Sequence, residues 1–137
     1  MTTHLYDVAL TWTGSTRDYR TYDRSHEVTV NGTHVSVSAD KAFRGDPTKV
    51  NPEALLVAAA SSCQLLSFLA VAARAQLEVV SYEDDAEGSM PDDQQPVRIS
   101  RIVLHPYIRM RGGTADRGPR VAAQRTRAVL HRQLVDD

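Results

Sequence analysis

Between Ala54 and Ala73 the chain runs for 20 residues without a charged side chain. About 20 apolar residues suffice to span a bilayer, so such a stretch is either a membrane span or a helix covered on nearly every side. Ser61, Ser62, Gln64 and Ser67 interrupt it, and alanine, which drives insertion weakly, supplies much of the rest. Its flanks alternate as strands of a globular domain do. The expectation is a core helix and no membrane association. A chain of 137 residues builds one modest core, which can hardly bury both sides of this helix. A second subunit is expected on the open side.

The helix carries its own start signal. Asn51 is placed to cap it, Pro52 suits the first helical position, and Glu53 sits beside the positive helix end. It is expected to run to about Gln76. Upstream, Leu5 to Trp12 alternates, Tyr19 to Val30 forms a second alternating run, and Val35 and Val37 continue the pattern beyond Asn31-Gly32. Asn-Gly favours a tight turn with positive φ at both central residues, which predicts an antiparallel hairpin and a three-stranded meander. Downstream, a strand is expected from Leu77 to about Ala86, then an acidic turn from Pro91 to Pro96. A further strand, Val97 to Met110, is open to interruption at His105-Pro106, and a last helix is expected over Arg120 to Leu134. The order βββ-α-ββ-α is that of an α+β fold with an antiparallel sheet. No internal repeat or linker divides it, so residues 1–137 are expected to form a single domain.

Sixteen Lys+Arg balance seventeen Asp+Glu, which argues against a dedicated nucleic-acid binder. The single cysteine, Cys63, excludes a disulfide scaffold and any cysteine-based zinc or iron–sulfur cage within one chain. With no basic-then-apolar signal at Met1, a reducing cytoplasm is the expected location.

A lone cysteine in an apolar helix is most often a small buried hydrophobe. Cys63, however, lies between Ser62 and Gln64, the most polar point of the helix, and the early strands and loops supply arginines that can lower a thiol pKa. Glu53 alone reads as a helix-start acid. Ten residues separate it from Cys63, about 15 Å of helical rise. If the two groups cooperate, the glutamate comes from another subunit or the helix bends.

The segment NPEALLVAAASSCQLLSFLAVAARAQLEVVSYEDDAEG, residues 51–88, resembles the centre of the OsmC/Ohr family of osmotically induced and organic-hydroperoxide-resistance proteins. The upstream segments VALTWTGSTRDYRTYDRSHEV and FRGDP extend the likeness toward an OsmC-like branch, over roughly residues 4–111. The resemblance implies an intertwined homodimer in which antiparallel sheets surround long buried central helices. It implies a thiol peroxidase without metal, haem, flavin or other cofactor. In that chemistry a cysteine attacks the peroxide, an arginine stabilises the thiolate, and a glutamate orients the arginine. By position these roles fall to Cys63 and Glu53. For the arginine, Arg17 is the first candidate, Arg20 a close second and Arg44 the third.

A guanidinium beside the thiol favours the reactive thiolate and can hydrogen-bond the peroxide as an alkoxide departs. The product is a sulfenic acid on Cys63. An apolar pocket built from Leu65, Leu66, Phe68 and residues of a partner would favour organic hydroperoxides over hydrogen peroxide. The branch often has histidine after the cysteine, where this chain has Gln64. His4, His26, His34, His105 and His131 lack metal-ligand spacing and read as surface or strand residues, and Asp84, Asp85 and Glu87 as a solvated strand face. Asn31-Gly32-Thr33 matches a glycosylation sequon, which the hairpin turn explains.

The family also uses a second cysteine near the C-terminus, in a helix reading like Ala-His-Glu-Leu-Cys-Tyr-Ile-Ala-Asn-Ser, which resolves the sulfenic acid as a disulfide. Residues 124–137 contain no cysteine. The codons GCT GTG CTA CAT CGC CAA CTC GTT GAC encode Ala128 to Asp136; read one base later they give Leu-Cys-Tyr-Ile-Ala-Asn-Ser-Leu. Arg125-Thr126-Arg127 likewise yields Ala-His-Glu. A single-base frameshift near Gly118 to Gln124, genuine or a sequencing error, accounts for the missing motif; a real loss is the alternative. In the frame as written, the last 14 to 18 residues are atypical of the family, and the final ~14 are expected to pack poorly.

The expected function is thus a thiol-dependent reduction of organic hydroperoxides, driven by a dithiol reductant of the dihydrolipoamide kind and impaired where the resolving cysteine is absent. The rival is a non-catalytic homodimer that binds small molecules or serves in stress without turnover.

Overall fold

The computed structural model describes residues 2–93, 95–112, 120–125 and 128–131, with residue 112 and the last two segments described by backbone alone. The chain divides into two compact units, Met1–Leu55 and Leu56–Asp137.

In the first unit, β1 (Val8–Thr11), β2 (His26–Val30) and β3 (Thr33–Val37) form an antiparallel sheet in sequence order. The hairpin turns where the sequence demands it, with φ of 50° at Asn31 and 76° at Gly32, the positive pair of the primed turn. Leu10 faces Val28, which faces Val35, so one apolar row crosses the sheet. Burial is confined to its far side: Val37 is buried, while Val8 and Leu10 are exposed.

The expected strand from Tyr19 is shorter than its pattern. Asp18 accepts the Arg20 N–H on Oδ1 at 2.9 Å, and its carbonyl accepts the Tyr22 N–H at 3.0 Å. These local bonds compete with a ladder and wind residues 18–22 into a turn, so β2 begins only at His26. Beyond β3, Asp46 accepts both the Thr48 hydroxyl (2.6 Å) and backbone N–H (2.9 Å), which hold its carboxyl below the ordinary 3.8.

Helix α1 (Pro52–Arg74) starts at the end of the first unit and continues into the second. Asn51 caps it as expected, its Oδ1 accepting the Ala54 N–H at 2.8 Å. At the other end Gln76 adopts φ 60°, the Gln76 N–H reaches the Ala73 carbonyl and the Leu77 N–H that of Ala72. This is the Schellman closure, which satisfies carbonyls the helix leaves open.

In the second unit, β4 (Glu78–Asp84), β7 (Pro106–Gly112) and β8 (Arg120–Arg125) form one antiparallel sheet, and β5 (Glu87–Ser89), β6 (Arg101–Leu104) and β9 (Ala128–His131) a second. The two share a register. Leu104 faces Ala128 on one side of the break and Tyr107 faces Arg125 on the other; Asp84 faces Pro106 and Glu87 faces Val103. They are two halves of one three-stranded meander, interrupted where β4 gives way to β5 and β6 to β7. The interruption expected at His105-Pro106 is this break.

The helix expected over Arg120 to Leu134 is not formed where the backbone is described: residues 120–125 and 128–131 are strands β8 and β9. Helix propensity is a weak local preference. Here it is overridden by the open edge of β6 and β7, whose backbone groups gain partners along their whole length. Residues 132–137, with most of the tail expected to pack poorly, lie outside the described residues.

The second unit's core gathers Ile99, Ile102 and Leu104, with Val57, Ala60, Ala86 and Met90 packed against it. The helix approaches β5 so closely that a Cβ at Gly88 would lie 2.5 Å from Val57 Cγ2. Helix positions 57, 60, 61, 64, 65, 68 and 69 are half-buried and Ala72 is buried, the spacing of one helical face. Apart from Glu53 in the first turn, which is half-buried, the rest of α1 is exposed. By length and composition α1 could cross a membrane.

Candidate active site

Cys63 is exposed. Leu56, Ala59, Leu66, Ser67 and Ala70, at helical spacing from it, are exposed as well. The thiol therefore sits midway along an uncovered, mainly apolar stripe, where Leu66 is 63% exposed. Of the pocket residues expected from the sequence, Leu66 shares this stripe. Phe68 does not, because it faces the sheet, with its ring centroid 5.9 Å from that of Tyr82. Leu65 is half-buried on that same inner side.

Glu53 lies in the first turn of α1, half-buried. Its Oε2 is buried and has no hydrogen-bond partner. A buried carboxylate oxygen is costly without a donor. Helix α1 is continuous between Glu53 and Cys63, so the rise of about 15 Å keeps them apart within one chain.

Arg17 and Arg20 lie in the exposed loop after β1. That loop is fixed through backbone groups: the Arg17 N–H reaches Ser15 Oγ at 3.4 Å, and the Arg20 N–H reaches Asp18. Arg44 lies with its guanidinium 6.0 Å from the Tyr19 ring centroid. The residue that organises this region is one the sequence did not single out, Arg24. Half-buried, it donates from Nη1 to the Tyr22 carbonyl at 2.9 Å and from Nη2 to the Tyr19 carbonyl at 2.7 Å. It also stacks 3.7 Å from the Tyr22 ring centroid. Its two acceptors are backbone carbonyls, which residue type does not mark in a sequence.

Asp84 is a correction. Rather than belonging to a solvated face, it is half-buried and accepts two hydrogen bonds: from Ser61 Oγ at 2.5 Å and from the His105 N–H at 2.7 Å. Asp85 and Glu87 are exposed. Two residues before Asp84, the Tyr82 hydroxyl is buried without a partner, and burial, with the neighbouring Asp84 charge, raises its pKa above 10.0. The His105 ring stands 4.0 Å from Glu87. Among the described residues, no group of three or more His, Cys, Asp and Glu is placed to hold a metal ion.

The family profile of OsmC-like protein matches residues 45–128, which include Glu53, Cys63 and Asp84. The chain belongs to the OsmC-like family. Its fold is similar to that of an OsmC-like protein of unknown function from Vibrio cholerae O1 biovar eltor, with a TM-score of 0.73 and 28% identity over 82% of this chain and 79% of that one. No curated protein sequence matches the chain. Among the described residues, the OsmC-like chain presents an accessible thiol on an apolar helix face and a buried carboxylate oxygen without a donor.

Proposed function

We propose that this OsmC-like chain is a homodimeric, thiol-dependent peroxidase for organic hydroperoxides, with Cys63 as the attacking thiol. The observation that carries the proposal is the placement of Cys63 midway along the apolar helix face that the chain itself leaves open. A second copy laid on that face would enclose the thiol in an apolar site, the setting in which an alkyl hydroperoxide is preferred. It would also remove about 25 cal/mol from the free energy for each Å² of apolar surface covered.

Glu53 supports the same reading. Its orphaned Oε2 calls for a cationic donor, and Arg17 or Arg20 supplies one when the guanidinium holds the thiolate of the facing subunit. The separation along α1 makes this arrangement intersubunit. The Cys63 thiolate attacks the terminal peroxide oxygen, the O–O bond breaks, and the alkoxide takes a proton and leaves as alcohol. Cys63 is left as a sulfenic acid. A dithiol then condenses with it, releasing water and forming a mixed disulfide, and its second thiol closes the cyclic disulfide and restores Cys63. No metal, haem, flavin or nucleic acid enters this scheme.

Residues 1–137 act in this proposal as a single OsmC-like domain in the cytoplasm. Helix α1 is a core helix here and not a membrane span, since Ser61 and Gln64 lie on its sheet-facing side and Ser61 hydrogen-bonds the sheet. The cysteine expected after residue 124 is assigned to the alternative reading frame, and the gene's codons test this: codons incompatible with Leu-Cys-Tyr-Ile-Ala-Asn-Ser reject it. The absence of a second cysteine favours one other function, a non-catalytic homodimer that binds small molecules. Consumption of cumene hydroperoxide with dihydrolipoamide separates the two. Wild type is expected to turn over and Cys63→Ser is not; equal rates reject the peroxidase.

A further inference from the structure

Asp84 joins three elements. It ends β4 opposite Pro106, at the break in the meander. Pro106 has no N–H to offer, and His105 lies between β6 and β7, outside both strands. The His105 N–H would be left without a ladder partner, and Asp84 Oδ1 takes it at 2.7 Å. The other oxygen, Oδ2, takes the hydroxyl of Ser61 on α1 at 2.5 Å. One carboxylate thus bridges the break between β6 and β7 and ties the helix to the sheet.

The tie falls two residues before Cys63. At about 100° per residue, Ser61 and Cys63 point some 200° apart around α1. The inner face also makes apolar contacts, through Val57 and Ala60 on the core and Phe68 on Tyr82, which resist separation more than small rotations or slides. The Ser61–Asp84 hydrogen bond is directional and charge-assisted, about twice as strong as a neutral one. It therefore sets the rotation of the helix, and with it the direction of the thiol on the opposite side.

We infer that Ser61 and Asp84 are a positioning pair for Cys63, acting through the helix and not by contact with substrate. The inference rests on the peroxidase proposal, because what it positions is the attacking sulfur. Misplacement of a reacting group by about 1 Å can cost a hundredfold in rate, so loss of the tie is expected to cost at least about tenfold.

The test measures the second-order rate of Cys63 thiol loss with cumene hydroperoxide in the full-length protein. Alkylation by iodoacetamide across pH is measured in parallel. Ser61→Ala removes the donor and is expected to react about tenfold more slowly with hydroperoxide, while the plateau rate and pH midpoint of alkylation stay near those of wild type. Ser61→Thr restores the hydroxyl and is expected to recover most of the rate, which a loss of packing alone would not permit. Asp84→Asn, whose amide can still engage Ser61, is expected to fall between, and should it fail to fold the two Ser61 variants decide. A reactive wild type with Ser61→Ala within twofold of it, or Ser61→Thr as slow as Ser61→Ala, overturns the positioning role alone. A wild type inert to hydroperoxide overturns the peroxidase proposal itself, and this role with it.

Discussion

At Glu53, a side chain that alone looks like a helix-start acid has one oxygen buried without a donor. The physical consequence is a demand for a cation, which the proposal meets with Arg17 or Arg20. Glu53→Gln keeps the shape but not the charge, so it is expected to lower the hydroperoxide rate of Cys63 by roughly a hundredfold, the scale of losing one charge-stabilising contact in a catalytic site. Stopped-flow measurement of thiol oxidation checks this; a Glu53→Gln rate within twofold of wild type rejects the assigned role. Cys63 and Glu53 stand out in the sequence as candidates because each sits at a marked point, the polar gap of an apolar run and the first helical turn. Asp84 and Arg24 were not. Their partners are 23 residues away in one case and backbone carbonyls in the other, and neither pairing leaves a local pattern.

Among the elements, those with local instructions matched their sequence. Asn51 caps α1 and Asn31-Gly32 turns the first hairpin, each by chemistry contained in a few residues. Strands β8 and β9 escaped prediction because what makes them strands is the edge of β6 and β7, not their own composition. β2 starts later than its alternation implies for the converse reason, since Asp18 and Arg24 engage residues 18–24 in bonds that no alternation pattern records. Between α1 and β4, the Tyr82 hydroxyl is buried and unpaired, so Tyr82→Phe is expected to raise stability by about 1 kcal/mol in urea denaturation near neutral pH. Its pH dependence has a definite sign. Folding raises the Tyr82 pKa above 10.0, so below that value both states keep the proton and nothing changes. As pH rises past it, the unfolded state loses the proton first and stability falls. The advantage of Tyr82→Phe is expected to grow above pH 10; an advantage that shrinks there contradicts the burial of this hydroxyl.

For the whole molecule, one long helix with a single buried residue, Ala72, is an unfinished core. A soluble protein rarely leaves so large an apolar face open. The dimer proposed here completes it, and Leu66 is the most direct place to test that, being 63% exposed beside Cys63. Leu66→Lys is expected to shift the protein from dimer to monomer in light scattering at micromolar concentration, whereas an unchanged mass places the interface elsewhere. The proposed peroxidase depends, finally, on the chemistry of one sulfur. Wild-type protein treated anaerobically with one equivalent of cumene hydroperoxide, trapped with dimedone and weighed intact, is predicted to carry one dimedone adduct at Cys63, with a matching yield of cumyl alcohol. A Cys63 that remains a free thiol while the hydroperoxide persists would contradict it.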